Sequence, residues 1–403
     1  MSDPSRPLTF LCLASELKGV PFLVEAHRQG CRTILVVAEA YAQAEWPWSS
    51  IDELFRMPDL SRQPDVTYGV SYLARNHHID RIVALDDFDV ETAADLREHL
   101  RIAGMGHTTA RHFRDKLAMR VTARDKGILV PPFTGVFNYD DLRAFMADVP
   151  PPWVLKPRFE AGAIGIRKLG DAEGVWRALD DLGDKQSFYL LEKFVAGDVY
   201  HVDAIVWQGE VVFSRASRYG LPPLAVTHGG GVFSSRTLPL RSAESVALLS
   251  LNQQLMTGLG MVRGVSHSEY IRGAADGRFY FLETAARVGG ANLDRMVAAA
   301  SEVDLWTEAA RLEIADVRGE SYTPPAAKDE NAGILICLSR QEHPDLSAYN
   351  DPEIVWRLPK PHHAGVIVAS PDAARVEQLI NAYAGRFAQD FLAIAPPQAP
   401  TRV

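Results

Sequence analysis

The sequence predicts an α/β protein of several domains, and two patterns support this fold class. The first third alternates short apolar runs, at residues 8–14, 33–38 and 81–85, with helical patterns, which is typical of a doubly wound domain with a parallel sheet. Farther along, residues 268–271 and 279–283 alternate around a turn rich in Gly and Asp, which predicts an antiparallel β-hairpin. At 403 residues the chain is too long for one ordinary core, so roughly two to four domains are expected.

The first predicted strand, residues 8–14, is not followed by a GxGxxG turn. The fingerprint of a dinucleotide site is therefore missing, which disfavours a dehydrogenase.

Further elements are predicted along the rest of the chain. They are a charged helix at 108–127, strands at 153–157, 188–194 and 333–339, and an amphipathic helix at 371–392. The segment at 219–239 is rich in Gly, Pro and Ser, which predicts a long mobile loop. The tail at 395–403 carries three prolines and is expected to be frayed.

Composition and charge disfavour several classes of protein. Hydrophobic residues make up 47% of the chain and charged residues 23%, as in soluble globular proteins. The net charge of −9 argues against a nucleic-acid or anionic-membrane partner. Cys12, Cys31 and Cys337 lie far apart without a CxxC motif, which favours reduced thiols. With no convincing signal peptide and no apolar membrane span, we expect a cytoplasmic protein.

Glu269 and Glu283 stand on the two predicted strands of the hairpin. Carboxylates on paired strands can point to one face, where a hard cation would bridge them. Arg287 follows four residues after Glu283, and Gly289 and Gly290 come next. Two strand carboxylates, an arginine and glycines that permit close approach indicate metal-assisted phosphate chemistry.

Lys156 ends a predicted strand directly before a loop of small residues that includes Gly162, Ala163 and Gly165. Small side chains let backbone N–H groups approach phosphate oxygens, and a lysine adds positive charge. The loop is not a Walker A motif, because GxxxxGK[ST] is missing. Taken alone, Lys156 is better explained as an ordinary solvated lysine, and Lys116 more strongly so as a charge on a helix surface.

Several motifs in a fixed order resemble the ATP-grasp superfamily. They are Asp115-Lys116 with Met119-Arg120, Val154-Leu155-Lys156-Pro157 with its Gly loop, Leu191-Glu192-Lys193-Phe194-Val195, Gly197-Asp198, and finally Glu269, Glu283 and Arg287. The resemblance covers about residues 8–310, and the C-terminal segment looks like the extra lobe of the family's amino-acid ligases. It implies a Rossmann-like pre-ATP-grasp domain at 1–107, an N-terminal ATP-grasp part at 108–195, a C-terminal ATP-grasp part at 196–325 and a small lobe at 326–403.

The resemblance also implies a set of nucleotide-binding residues. Lys116 and Lys156 would contact the α- and β-phosphates, while the small-residue loop would be the phosphate flap. The hinge around Phe194 would read adenine, and Asp198 with His201 would contact the ribose. The full set is Lys116, Lys156, Gly162, Ala163, Gly165, Glu192, Lys193, Phe194, Val195, Asp198 and His201.

Metal and substrate residues complete the expected site. The resemblance implies that Glu269 and Glu283 hold Mg²⁺, with Mn²⁺ as an alternative, and that Glu283 and Arg287 act in catalysis. Arginine suits bidentate recognition of a carboxylate substrate. The candidates for substrate contact are Arg215, Arg218, His228, Gly289 and Gly290, although each arginine is equally explained as an exposed strand residue.

One position departs from the family pattern. Family members usually carry Glu-x-Asn at the second metal strand, whereas this chain reads Glu283-Thr284-Ala285. The amide that would ligate a second Mg²⁺ is therefore missing. Water, Thr284 or Asn292 are the candidates to complete the coordination.

The resemblance implies an ATP-dependent carboxylate–amine ligase that works through an acylphosphate and releases ADP and phosphate. Amino acids or small peptides are the expected substrates, and a homodimer is compatible with the family. Two alternatives stay open. One is a biotin-carboxylase-like activity, although the chain has no biotinyl Met-Lys-Met sequence. The other is a catalytically silent nucleotide-binding protein.

Overall fold

The computed structural model describes residues 6–394, apart from the side chain of His228. The predicted frayed tail at 395–403 therefore lies outside the described residues. Within the described part, no helix is long and apolar enough to cross a membrane.

The N-terminal region contains a four-stranded parallel sheet in the order β3-β2-β1-β4, as the βαβ rhythm predicts. Its strands are β1 (Thr9–Ala14), β2 (Arg32–Ala38), β3 (Glu53–Met57) and β4 (Arg81–Ala84), and its helices are α1 (Val20–Arg28), α2 (Asp65–Leu73) and α3 (Val90–Leu100). Side chains of β1 alternate between two apolar cores, one on each face, which explains its uninterrupted apolar run. β3 was not predicted, because its sequence has no clear apolar pattern.

The next region is a smaller antiparallel sheet in the order β5-β8-β6-β7. Its strands are β5 (Phe133–Gly135), β6 (Trp153–Pro157), β7 (Arg167–Leu169) and β8 (Tyr189–Lys193), and its helices are α4 (His107–Arg111), α5 (Lys116–Asp125), α6 (Tyr139–Asp148) and α7 (Ala172–Leu182). The single predicted helix at 108–127 is thus two helices, and the second begins at the Asp115 N-cap.

The remainder forms an eight-stranded sheet in the order β13-β12-β9-β10-β11-β14-β16-β15. Its strands are β9 (Gly197–Trp207), β10 (Glu210–Tyr219), β11 (Phe233–Thr237), β12 (Gly264–Gly273), β13 (Phe279–Ala285), β14 (Asn331–Leu338), β15 (Ile354–Arg357) and β16 (His363–Ser370). Its helices are α8 (Pro223–Gly229), α9 (Ala243–Leu259), α10 (Leu293–Ser301), α11 (Leu305–Arg318) and α12 (Ala373–Asp390). Strands of the C-terminal segment therefore continue the same sheet that carries the glutamate hairpin.

The prediction of a long loop at 219–239 is wrong. This segment contains α8 and β11, and β11 lies inside the sheet between β10 and β14. Its short, Ser-rich strand has little intrinsic strand preference, so pairing on both sides stabilises it.

Candidate active site

A cavity of about 420 Å³ lies between the small antiparallel sheet, the eight-stranded sheet and the loop after β4. Residues from all three regions line it, so the fold assembles the site from distant parts of the sequence. The predicted site residues that line it are Lys116, Lys156, Gly162, Ala163, Glu192, Lys193, Phe194, Val195, Glu269, Glu283, Arg287 and Gly290.

Glu269 and Glu283 lie directly opposite each other on β12 and β13, which form the predicted antiparallel hairpin. Because directly paired residues share a face of the sheet, both carboxylates point to the same side. Both carboxylates have polar neighbours in the protein. Glu283 Oε2 lies 3.0 Å from Lys116 Nζ, and Glu269 Oε1 accepts a hydrogen bond from the Tyr219 hydroxyl at 2.7 Å.

Buried charges of both signs surround Glu283. Burial alone would raise its pKa, but Lys116, Lys156 and Arg120 together hold the pKa well below the usual range. Glu192 bridges Lys156 and Arg120, with 3.0 Å between Glu192 Oε2 and Arg120 Nε. Burial lowers the pKa of Lys156 to about 8, against the opposing effect of Glu192 and with Arg120 adding to the decrease. A second anionic group near Lys156 would therefore stabilise its protonated form.

Helix α5 presents Lys116 at its first residue, and the Asp115 side chain caps the helix by accepting hydrogen bonds from the amides of Leu117 and Ala118. Lys116 is buried, and its ammonium group also donates to the carbonyl of Glu160. Because it is buried, Lys116 is not a solvated charge on the helix surface.

The loop between β6 and β7 covers one side of the cavity. Gly162, Ala163 and Gly165 all have positive φ, at 66°, 61° and 72°, and Ala163 is thus held in a conformation that favours glycine. The hydroxyl of Thr227 on α8 donates to the carbonyl of Gly162 at 3.2 Å. Gly162 and Ala163 line the cavity, whereas Gly165 is not among its lining residues.

The segment after β8 forms another wall. The amides of Lys193 and Phe194 donate to the carbonyls of Pro132 and Pro152, at 2.8 and 3.0 Å. Within the described residues, the amide of Val195 has no hydrogen-bond partner. An unpaired backbone donor beside a cavity can bind a ligand acceptor.

A chain of hydrogen bonds runs behind Glu269. Asp203 is fully buried and accepts from His201 Nδ1 and His267 Nδ1, each at 2.8 Å. His267 Nε2 lies 3.6 Å from Glu269 Oε1 and 3.4 Å from the Tyr219 hydroxyl. Burial would lower the pKa of His267, but Asp203 and Glu269 raise it to about 9, so the ring carries a positive charge at neutral pH.

Arg287 reaches toward the N-terminal region, where sequence reasoning did not identify any site residue. Its Nε lies 3.5 Å from Asp87 Oδ1, and Asp87 also pairs with Arg114. Asp87 is buried in the loop after β4, and both it and Arg114 line the cavity. An acidic residue directly after a short parallel strand was the available signal, since ligands bind at the carboxyl ends of such strands.

Four of the predicted residues with described polar side chains do not line the cavity. Asp198 and Arg218 form an ion pair at 2.8 Å on the opposite face of the sheet, because Arg218 pairs in register with Tyr200 and not with His201. His201 is fully buried, and its ring bonds Asp203 and Ser235.

Arg215, the fourth of these residues, is also buried. It pairs with Asp329 and donates to the carbonyl of Glu330. The four residues expected to contact ribose or substrate therefore lie outside the lining of the cavity. The side chain of His228 lies outside the described part of the structure.

The two predicted glycines differ in position. Gly290 lines the cavity, whereas Gly289 packs over Asp203 and His267. A Cβ at Gly289 would lie only 2.8 Å from Asp203 Oδ1, so this close approach requires glycine.

The residues present fit a hard divalent cation. Glu269 and Glu283 offer oxygen ligands from rigid strands, and Glu269 Oε2 and Glu283 Oε1 make no hydrogen bond within the described residues. Thr284 is a poor additional ligand, because its hydroxyl already bonds Ser268 at 2.8 Å. Asn292 is absent from the residues that line the cavity. The nearby His201, Asp203 and His267 bond one another, which favours a structural role over a second metal centre.

No family model matches the chain. Among curated proteins, it is similar to the L-arginine-specific L-amino acid ligase of Bacillus subtilis, with 27% identity over 244 residues. That alignment covers 58% of this chain and 58% of the relative's length.

Solved structures extend the likeness over nearly the whole chain. The L-amino acid ligase of Bacillus licheniformis superposes with a TM-score of 0.77 at 17% identity, covering 97% of this chain and all (100%) of that one. The N5-carboxyaminoimidazole synthetase of Staphylococcus aureus in complex with ADP gives 0.69 at 15% identity, covering 93% and 96%. These likenesses show that the chain has the fold of ATP-grasp ligases.

Proposed function

We propose that this protein is an ATP-dependent carboxylate–amine ligase that joins small amino-acid-like substrates. The single observation that carries the proposal is the arrangement of the cavity. Two opposed strand carboxylates, two buried lysines and Arg287 converge there, and a Gly-containing loop covers them. Phosphoryl transfer needs these groups, because it depends on positioning and on neutralising charge.

Lys116 and Lys156 are the phosphate-binding groups in this proposal. Both are buried and both line the cavity, so their charges act in a low-dielectric environment. The loop with Gly162 and Ala163 contributes backbone N–H groups to the phosphates.

Adenine binds at the segment after β8. The amides of Lys193 and Phe194 are already used, whereas that of Val195 is available to a ring nitrogen. Phe194 packs against the base, and Lys168 Nζ lies 3.7 Å from the centre of the Phe194 ring. Glu192 is occupied by Lys156 and Arg120, so its role is to orient Lys156.

Glu269 and Glu283 would hold Mg²⁺, or Mn²⁺, which when bound neutralises and orients the β- and γ-phosphates. Arg287 stabilises negative charge on the transferred phosphoryl group. Asp87 orients Arg287 from the N-terminal region, and Tyr219 orients Glu269.

The proposed reaction has two balanced steps. A substrate carboxylate oxygen attacks the γ-phosphorus, the bond to the β–γ bridging oxygen breaks, and ADP leaves. An amine then attacks the acyl carbon of the acylphosphate, phosphate leaves, and the nitrogen loses a proton to form the amide. Neither step needs a nucleophilic side chain.

Phosphate release in the presence of ATP, Mg²⁺ and pairs of amino acids tests this proposal. Release that depends on the amine, with a new amide product, is expected. Release that requires bicarbonate and biotin would show a carboxylase instead, and a lack of release under every condition would show a nucleotide-binding protein.

The reaction takes place in the cytoplasm in this proposal, since the cysteines are free and buried.

The variant Glu283→Gln tests the proposed metal site. Loss of its charge should abolish turnover by removing half of the paired metal site, while circular dichroism shows an intact fold. Glu210→Gln, on the exposed start of β10, is the control and should retain full turnover. Retained turnover in Glu283→Gln would contradict the mechanism.

A further inference from the structure

A second cavity of about 360 Å³ lies on the other side of Arg287. It is formed between β4 and α3 of the N-terminal region and the start of β12 with α11. Arg287 lines both cavities, so a ligand in the second one lies next to the group to which we assign stabilisation of the transferred phosphoryl.

The charges in this cavity do not balance. Arg81 and Arg263 both pair with Glu313 and Asp316, including 3.1 Å between Arg263 Nε and Glu313 Oε2. These two arginines and two carboxylates compensate each other. Arg97 also lines the cavity, and its positive charge is in excess of these two pairs.

The hydrogen-bond partners of Arg97 in the described part of the chain are neutral. It donates to the carbonyls of Ile82 and Met105, at 2.9 and 3.0 Å, and no carboxylate lies within ion-pair distance. Burial lowers its pKa to about 10, so it is still charged at neutral pH. Arg97 is partly buried, and Glu313, which opposes the decrease in its pKa, already pairs with Arg81 and Arg263. A partly buried cation that shares its counter-charge is costly, and an anionic ligand would relieve that cost.

Other walls of this cavity are apolar. Phe22, Val90, Trp306 and Leu312 supply apolar surface. A ligand that suits both parts carries a carboxylate and an apolar side chain. An α-amino acid has this chemistry, and guanidinium groups recognise carboxylates with charge-assisted hydrogen bonds.

We propose that the second cavity binds the amine substrate as an α-amino acid, with its carboxylate at Arg97 and its amine directed to the Arg287 side. This assignment rests on the proposed ligase function. It implies that the amine substrate needs a free carboxylate, although that carboxylate does not react.

Calorimetric titration of the full chain without ATP tests binding directly, with leucine and leucinamide as probes. Leucinamide lacks the carboxylate but keeps the amine and side chain. Leucine should bind the unmodified protein about tenfold more tightly than leucinamide, as expected for a charge-assisted contact. Arg97→Met should remove this preference. Equal binding of leucine to both proteins would overturn the proposal.

Two further variants separate binding from folding. Ala103→Trp narrows the exposed mouth of the cavity while Arg97 stays in place, and it should weaken leucine binding. Arg101→Gln, an exposed arginine at the end of α3, is the matched control and should bind leucine normally. Normal binding by Ala103→Trp would contradict the proposal.

Steady-state kinetics then distinguish a substrate site from an effector site. With any amino-acid pair that supports phosphate release, Arg97→Met should raise KM for the amine about tenfold and leave KM for ATP unchanged. A changed rate with an unchanged amine KM would overturn the assignment. Absence of release in the unmodified protein would refute the ligase function, while the calorimetric result still decides whether the cavity binds a carboxylate.

Discussion

At the residue scale, Tyr219 is the contact that fixes the orientation of Glu269. Tyr219→Phe removes one hydrogen bond of 2.7 Å and leaves the ring packing in place. A typical hydrogen bond of about 1 kcal/mol predicts about fivefold weaker Mn²⁺ binding, measured by electron paramagnetic resonance with ADP present. Tyr280→Phe is the control, because that hydroxyl bonds the exposed Asp276 on the same hairpin. Equal metal binding by both variants would contradict the role of Tyr219.

Ala285 is the second residue with a measurable consequence. Family members usually carry asparagine there, and Thr284 is already hydrogen-bonded, so we expect the proposed metal site to be short of one ligand. Ala285→Asn should therefore increase affinity for Mg²⁺, measured as the metal concentration that half-saturates ADP binding. Unchanged affinity would show that the site is complete without the amide.

The lowered pKa of Lys156 predicts that nucleotide binding depends on pH. Its pKa of about 8 in the free protein lies below the ordinary lysine value, because burial disfavours the charged form. Bound phosphates raise that pKa, so binding at pH 8 should take up protons, and affinity should fall as the pH rises from 7 to 9. Calorimetry in buffers of different ionisation enthalpy measures the uptake. Lys156→Arg stays charged and should show neither effect.

At the scale of single elements, the N-terminus of α5 places Lys116. Asp115 caps this helix and also binds Arg158 and Arg111, with 2.8 Å to Arg158 Nε. Asp115→Ala should lower the free energy of unfolding by about 1–3 kcal/mol, since a cap and a partly buried ion pair are both lost.

Asp171→Ala is the matched control for this cap. Asp171 caps α7 through the amide of Gly174 from an exposed position without an ion pair in the described residues, so only about 1 kcal/mol should be lost. Urea denaturation measures both variants. Equal losses would show that the ion pairs of Asp115 contribute nothing to stability.

Comparing β12 and β13 with β11 shows when local sequence is sufficient to predict a strand. The hairpin of β12 and β13 was predicted because its alternation and its turn are encoded within 22 consecutive residues, Gly264–Ala285. β11 was missed, because a Ser-rich segment becomes a strand only when neighbours on both sides supply hydrogen bonds.

At the scale of the whole molecule, the cavity is a product of three regions that are distant in sequence. Arg287 meets Asp87 across 200 residues, and Lys116 meets Glu283 across 167. No local pattern encodes these pairs, so Asp87 and Arg114 were not identified. The same reason explains why Asp198 and Arg218 were placed at the site, although they lie on the other face of the sheet.

The sequence by itself determined the fold class, the parallel N-terminal sheet and the hairpin that carries Glu269 and Glu283, since these depend on short-range periodicity and on motif order. It also predicted Lys116, Lys156 and Arg287, which the structure places around one cavity. Only the tertiary structure decided which faces meet at the cavity, that Val195 carries the unpaired amide, and that a second cavity with Arg97 lies behind Arg287. Long-range packing fixes burial and charge compensation, and neither quantity can be obtained from local spacing.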